Sequence, residues 1–314
     1  MAIFGIIENI VSHFLPIYTL TSRHYMSIYT LAALLHKFSH ENYAVCSFNV
    51  YNMEFTQGVM QAAQEENAPV VLMISELALE FTPLEMLATI CETAARNSTV
   101  PVCLLLDHGN SPAVIQDCVR MGISVMFDVS NLPLEENIRL TASYTDLARR
   151  HHVSIEAELG SISGGDSHIE SNSSLFTDPT EAEMFMRETG IDALAISIGN
   201  RHGFYKGKPE LDFARLKAIR EKVDIPLVLH GGSDLPESQI RSALECGIRK
   251  INFGTDVKLA FAQTMKKVLS RDPMPFQPIQ ILSPCRNAIA EEVRKKIRLA
   301  HSEGLAGRVT AGAV

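Results

Sequence analysis

Eight short apolar runs punctuate the chain: AVCSFNV (44–50), PVVLMIS (69–75), VCLLLD (102–107), ISVMFD (123–128), VSIEAEL (153–159), ALAISIG (193–199), PLVLH (226–230) and IRKINFG (248–254). Each has the length of a strand, and most are apolar nearly without a break, as strands covered on both faces are. Between them the spacing changes to the three-to-four-residue repeat of an amphipathic helix, in EFTQGVMQAAQEEN, PLEMLATICETAARN, SPAVIQDCVRMG, EENIRLTASYTDLARRH, PTEAEMFMRETG, DFARLKAIREKV and PESQIRSALECG. Several of these end on the Gly or Asn expected at a helix C-terminus, and Pro opens some of them.

Eight strands alternating with helices, one unit about every 20 to 40 residues, predict an α/β fold of the (β/α)8 TIM-barrel kind. An open, doubly wound sheet is the competing architecture, but the first strand-to-helix turn, FNVYNME, lacks the Gly-rich dinucleotide fingerprint. No linker interrupts the alternation. A single barrel domain over residues 26–305 is therefore expected, with 1–25 an N-terminal extension or a mis-assigned start and 306–314 a short tail. An amphipathic helix from Arg286 to Ser302 follows the last strand and is expected on the outside of the barrel or against a partner subunit. The longest stretch without periodicity, Gly160 to Asp178, is polar and rich in Gly and Ser. Loops of that length inside a compact domain are usually functional lids or disordered.

Composition narrows the setting. The 314 residues are 46% hydrophobic and carry a formal net charge of −8, enough for a large core and unfavourable for general nucleic-acid binding. The six cysteines form no CxxC pair and no framework spacing, which suits a reducing, cytoplasmic setting. The first 20 residues lack a basic n-region, and no apolar run reaches transmembrane length, so neither a signal peptide nor a membrane partner is expected.

Barrel active sites collect at the C-terminal ends of the strands. Asp107 and His108 close the third strand, Asp128 the fourth and Glu158 the fifth; Gly199 to His202 follow the sixth, His230 to Ser233 the seventh and Asn252 to Asp256 the eighth. Three of these ends carry His-Gly dipeptides, at His108, His202 and His230. Neutral imidazole is the usual zinc ligand, glycine lets the backbone turn sharply beside it, and three ligands leave the open position that a catalytic Zn2+ needs. One such histidine alone would read as a core or capping residue; three at matching ends point to a metal site.

Glu156 and Glu158 alternate with Ile155 and Ala157, so both carboxylates are expected to face the barrel interior. Glu158, nearer the mouth, fits a further or alternative metal ligand or a partner of one; for Glu156 a helix-strand salt bridge is an equal reading. Asp107 precedes a candidate ligand and is expected to point away from His108 while staying at the mouth, as a general acid or base or as a helix cap. Gly231-Gly232-Ser233 and Gly254-Thr255-Asp256 offer amides and hydroxyls ahead of helices, where barrels commonly bind phosphate.

Taken together, YAVCSFNVYNME, LLLDHG, GISVMFDVSNLPLEENI, IEAELG, IGNRHGFYKGKPELDF, PLVLHGGSDLP and IRKINFGTD, spread over roughly residues 26–305, resemble the class II, zinc-dependent ketose-bisphosphate aldolases, the family of fructose- and tagatose-bisphosphate aldolases. The resemblance implies a TIM-barrel lyase that cleaves a ketose phosphate to dihydroxyacetone phosphate and an aldehyde through a zinc-stabilised enediolate. It implies that His108, His202 and His230 hold zinc with the acid Glu158 near the metal, and that Asp107 exchanges the proton on the C4 oxygen. It further implies that Gly203, Gly231, Gly232, Ser233, Gly254 and Thr255 hold the C1 phosphate and that Asn49, Ser75 and Asn252 face the substrate. The family also suggests a homodimer or homotetramer and, in parts of it, a monovalent cation (Na+ or K+).

Two departures stand out. Alignment on AELG puts Asp166 where a glutamate on the loop after the fifth strand protonates the carbanion, one methylene shorter, with His168 and Glu170 nearby. QPIQILSP leaves Ile279 where an arginine often meets the far phosphate, so the aldehyde half of the substrate need not carry phosphate. A catalytically silent barrel serving as a partner subunit and a zinc-dependent sugar-phosphate isomerase are the competing functions.

Overall fold

The eight apolar runs pair in chain order, all in parallel, and the last returns to the first to close a barrel. In this computed structural model, which describes residues 27–37, 42–164, 176–205 and 207–309, the strands are β1 (Val45–Asn49), β2 (Val70–Ser75), β3 (Val102–Gly109), β4 (Ser124–Phe127), β5 (Ile155–Leu159), β6 (Ala193–Ile196), β7 (Leu227–Leu229) and β8 (Ile248–Phe253). The expected (β/α)8 architecture is therefore the observed one. The helices are α1 (Leu31–Lys37), α2 (Met53–Glu65), α3 (Glu76–Leu79), α4 (Leu84–Arg96), α5 (Pro112–Arg120), α6 (Leu134–Arg150), α7 (Pro179–Thr189), α8 (Phe213–Lys222), α9 (Glu237–Glu245), α10 (Thr255–Leu269), α11 (Pro278–Leu299) and α12 (Leu305–Val309).

Two apolar clusters follow from the two faces of the strands. Alternate residues such as Phe48, Leu72, Leu104 and Leu106 pack outward against the helices. The other set, Val45, Val71, Met73, Cys103, Leu105, Met126, Ala193, Ala195 and Val228, fills the interior. Helix α1 closes the bottom of that interior: Leu31, Leu34 and Leu35 are buried in the same cluster. Its first amides, Leu31 N and Ala32 N, donate to Ser124 Oγ and Ser154 Oγ at 3.1 and 3.0 Å. These side chains from β4 and the start of β5 meet backbone donors that the first turn of a helix cannot satisfy itself.

Helix starts follow local chemistry. Asn52 accepts from Phe55 N at the head of α2, Asp178 from Thr180 N and Glu181 N at α7, and Asp212 from Arg215 N at α8. Gly190 ends α7 in the left-handed region. Helix α11 corrects one expectation, because it begins at Pro278 rather than Arg286 and runs through Pro284. Pro284 leaves the Gln280 carbonyl without its helical donor, and Gln280 is exposed, so water can take that place. The rest of α11 buries Cys285, Ile289, Ala290, Val293 and Ile297 and packs on α2 and α10. No helix among the described residues is long and apolar enough to cross a membrane. The proposed extension 1–25 and most of the loop from Gly160 to Asp178 lie outside the described residues.

The α2–α11 contact is close enough to reverse an ordinary helix rule. A Cβ on Gly58 would stand 2.8 Å from Ile289 Cγ2 and 2.9 Å from the Arg286 carbonyl oxygen. Gly to Ala inside an exposed helix gains about 1 kcal/mol, but Gly58→Ala is expected to lose about 1–3 kcal/mol by overpacking. A lowered midpoint of urea unfolding is the expected result.

Candidate active site

The strand parity that builds the interior also aims the polar residues. Asp107 continues the inward set of Cys103 and Leu105, so simple alternation would turn His108 outward. It does not, because the β3–β4 pairing shifts between Leu106 and Gly109 and His108 adopts a φ of +51°. That conformation costs an L-residue about 1–2 kcal/mol, and strain of this kind collects at functional sites. Both side chains therefore line one cleft, which corrects the expectation that Asp107 points away from His108. In the first His-Gly pair the histidine carries the left-handed turn; in the other two it is the glycine, with φ +80° at Gly203 and +66° at Gly231. Gly231 has no alternative, since a Cβ would lie 2.0 Å from the Arg201 carbonyl oxygen.

The cleft, about 430 Å³ and open to solvent, brings together Asp107, the three histidines, Asn49 and Asn252, with Gly203, Gly231, Ser233, Gly254, Thr255 and Lys258 to one side. His108 Nε2 lies 3.1 Å and His202 Nε2 3.4 Å from His230 Nδ1. The remaining nitrogens of two rings are committed elsewhere: His108 Nδ1–H donates to Asp128 Oδ2 at 2.6 Å, and His230 Nε2–H to Glu156 Oε1 at 3.0 Å. With those protons placed, the lone pairs of His108 and His230 face each other, an arrangement that needs a proton or a cation between them. Metal–nitrogen bonds of 2.0–2.1 Å in a tetrahedron set nitrogens about 3.3 Å apart, close to the two separations seen. The donor set of His108, His202 and His230 thus fits a divalent metal.

Electrostatics agree with that fit. His230 is fully buried, and burial together with the neighbouring His108 and Lys250 charges holds its pKa well below the usual value, keeping the ring neutral. Burial pulls His108 the same way, but Asp107, Asp128 and Glu158 outweigh it and push its pKa up to about 10. Asp128 is held below the ordinary carboxylate range by His108 and Ser130 despite its burial. Glu158 is pushed well above that range by burial and by Asp128.

The other sequence-derived candidates divide. Asn49 Nδ2 donates to Asp107 Oδ2 at 2.8 Å, while Asp107 Oδ1, buried in the cleft, has no hydrogen-bond partner among the described residues. Glu158 is not among the residues lining the cleft: it groups with His108 and Asp128, accepts from Ser130 Oγ at 3.0 Å and Ile162 N at 3.1 Å, and of the three imidazoles is grouped with His108 alone. Glu156 does face inward, but its salt bridge is with the interior Lys250, not with a helix. Gly232 does not line the cleft either; its amide donates to the Asn252 carbonyl at 3.0 Å and a Cβ would meet Ile251 Cγ2 at 2.5 Å, so its small size serves packing. Ser75 instead caps α3, accepting from Ala78 N, one strand over from Asp107. Asp166, His168 and Glu170 lie outside the described residues. Ile279 sits in the first turn of α11, 73% exposed and not lining the cleft.

Sequence reasoning missed three participants. Asp128 was visible as a strand-end acid, but only the fold places it on His108. Lys250 shares the inward parity of Asn252, yet lysine reads by default as a surface residue. Lys258 falls four residues after Gly254, on the first turns of α10 facing the Gly-rich loops, a spacing that would have pointed to it.

A (β/α)8 barrel whose mouth gathers three imidazoles that could hold a metal defines a class of barrel enzymes. The family model described as "Fructose-bisphosphate aldolase class-II" matches residues 29–305. The fructose-bisphosphate aldolase of Geobacillus stearothermophilus is 39% identical over 289 residues, 90% of this chain and 100% of that protein. That of Staphylococcus epidermidis is 37% identical over 279 residues, 87% of this chain and 97% of that one. Among solved structures, the YdjI aldolase from Escherichia coli superposes with a TM-score of 0.80 at 34% identity, covering 89% of this chain and 99% of that one. The chain belongs to the class II fructose-bisphosphate aldolase family, a family of carbon–carbon lyases that are typically metal-dependent.

The His108–Asp128 pair makes a pH prediction for chelator-treated protein. Asp128's depressed pKa contributes stability present above its unfolded value near 4 and lost as pH falls through it; His108's raised pKa contributes stability present below about 6.5 and lost as pH rises towards about 10. The stability gap between wild type and Asp128→Asn should therefore be widest between about pH 4 and 6.5 and close towards pH 10. Denaturant titrations at several pH values measure it, and a gap that widens above pH 7 would refute the pairing.

Proposed function

We propose that the protein is a zinc-dependent aldolase that reversibly cleaves a ketose 1-phosphate or 1,6-bisphosphate between C3 and C4, giving dihydroxyacetone phosphate and an aldehyde. The observation that carries this reading is Asp107 Oδ1, buried and unpartnered among the described residues, in the same cleft as three converging imidazoles. A silent barrel would gain nothing from leaving a carboxylate oxygen so exposed to desolvation cost.

His108, His202 and His230 would hold Zn2+ through Nε2, Nε2 and Nδ1. A metal there supplies Lewis acidity, drawing electron density from the ketose carbonyl as negative charge develops in the departing half. The remaining steps belong to the chain. Asp107 Oδ1 accepts the C4 hydroxyl proton as the C4 carbonyl forms and the C3–C4 electron pair passes to the dihydroxyacetone half. Asn49 fixes the other Asp107 oxygen, so that Oδ1 faces the substrate. Asn252 offers its amide to the dihydroxyacetone hydroxyl. The C1 phosphate lies against Gly203, Gly231, Ser233, Gly254 and Thr255, where the N-terminus of the 15-residue α10 and the Lys258 ammonium favour an anion. The proton that C3 must regain is assigned to Asp166, which stands in the sequence where the family carries a glutamate on the loop after β5.

That cradle and Lys258 account for one phosphate, the one on C1. With Ile279 where the family often carries an arginine, the aldehyde half of the substrate need not carry phosphate.

Zinc analysis combined with a coupled assay for dihydroxyacetone phosphate, run on a panel of ketose 1-phosphates and 1,6-bisphosphates, tests the reading. Asp107→Ala is expected to keep the metal and lose turnover by about 10²–10⁴-fold, and His108→Ala to lose the metal. Failure to release dihydroxyacetone phosphate from any member of the panel would overturn the assignment.

A further inference from the structure

Beneath His230, in the middle of the barrel, lies a pair of charges to which the reaction as described gives no task. Glu156 on β5 and Lys250 on β8 are both fully buried, and Lys250 Nζ lies 2.9 Å from Glu156 Oε2 and 3.2 Å from Oε1. The same ammonium donates to Asn252 Oδ1 at 2.7 Å. The small side chains of Ala193 and Ala195 on β6, next to Glu156 and Glu158 in register, leave room for long polar ones in the interior. A buried ion pair is weak as a source of stability, because well-packed apolar residues of similar volume commonly do as well. Its retention in this core calls for another explanation.

Hydrogen-bond polarity supplies one. An ammonium donates and cannot accept. Asn252 must therefore turn its carbonyl oxygen down to Lys250 and its amide nitrogen up beside the His230 ring, 3.1 Å from Nε2 and 3.4 Å from Nδ1; because Nε2–H is given to Glu156, the amide makes no hydrogen bond to Nε2 and is left for the cleft that Asn252 lines. Glu156, held by the same ammonium, accepts Nε2–H from His230 and leaves the Nδ1 lone pair directed at His108 and His202. One side chain thereby orients a donor nitrogen for the metal and an amide for the substrate.

We infer that Lys250 is a positioning residue that sets both His230, through Glu156, and Asn252, by direct hydrogen bonding. The inference rests on the metal-site reading above. Breaking partners that orient a ligand typically weakens metal binding by about 10–100-fold. Removing Lys250 should do this and should also release the Asn252 amide, which separates two effects that a purely structural role would not.

Chelator-competition titration with Zn2+ and steady-state kinetics on four proteins form the test: wild type, Lys250→Met, the double variant Glu156→Gln/Lys250→Met, and His202→Ala. Lys250→Met should bind Zn2+ about 10–100-fold more weakly, with lower kcat and raised KM. In the double variant no charge is left unpaired and the glutamine oxygen can still accept Nε2–H. Zinc affinity should recover towards wild type while kcat/KM stays about tenfold down, because nothing holds Asn252. His202→Ala separates the two readings: if it keeps wild-type zinc affinity, the metal site itself is misassigned. If it loses zinc while Lys250→Met binds zinc and turns over like wild type, or if the double variant recovers no affinity, the positioning role is overturned. Should Lys250→Met fail to fold by circular dichroism, the double variant decides alone: near-wild-type zinc affinity with depressed kcat/KM supports the inference, and wild-type kcat/KM overturns it.

Discussion

The cleft depends on one geometric constraint, the parity of eight parallel strands closed into a ring. Closure gives every strand an inside and an outside, and parallel pairing puts all eight C-terminal ends at one mouth. Once the inward set is chosen by Val71, Met73, Cys103, Leu105, Ala193 and Val228, the inward positions nearest the mouth include Asn49, Ser75, Asp107, Glu158, His230 and Asn252, and one step below them Glu156 and Lys250. The apolar core and the polar site are the same alternation read at two depths. This is why His108 and His230, 122 positions apart in the chain, meet within hydrogen-bond distance.

The alternation is broken at one place that matters. His108 would face outward on an unbroken strand, and the shifted β3–β4 pairing with a left-handed φ brings it in beside Asp107. Two adjacent residues then line one cleft: the first brings a carboxylate and the second an imidazole, which in the proposed function would meet substrate and metal respectively. The carboxylates around His108 offset the strain and the burial of its charge. Asp107 and Asp128, which help hold His108 protonated when no metal is bound, would also favour a divalent cation that displaced that proton.

Much of this was legible in the chain. Continuous apolar runs at regular spacing specify a parallel sheet because only strands covered on both faces can afford them, and the His-Gly dipeptides mark three strand ends because each sits where an apolar run gives way to polar residues. What was not legible depends on register. Gly232 looks as suited to phosphate as Gly231 in the sequence, yet its amide is spent on the Asn252 carbonyl. Ser75 is one strand from Asp107 and still caps a helix. The helix expected from Arg286 begins instead at Pro278 and runs through Pro284, where the carbonyl left without a helical donor belongs to the exposed Gln280. For Gly232 and Ser75 the residue type suits the inferred role, and the fold adds a hydrogen-bond partner that the sequence does not show.

Register also decides how the charges in the interior are to be read. Lysine and glutamate on separate strands, 94 positions apart, carry no sequence signal of pairing. Placed at one level inside a closed barrel, they have only each other and the polar atoms next to them, so the direction of every hydrogen bond is forced. Lys250 can only donate, which turns Asn252; Glu156 can only accept, which turns His230. A core made apolar at this level would pack equally well, yet it would leave the amide free to flip and the imidazole free to present either nitrogen. The charged pair trades desolvation for a single arrangement of the two groups above it, an arrangement that the proposed binding of a metal and a ketose in fixed relation would exploit.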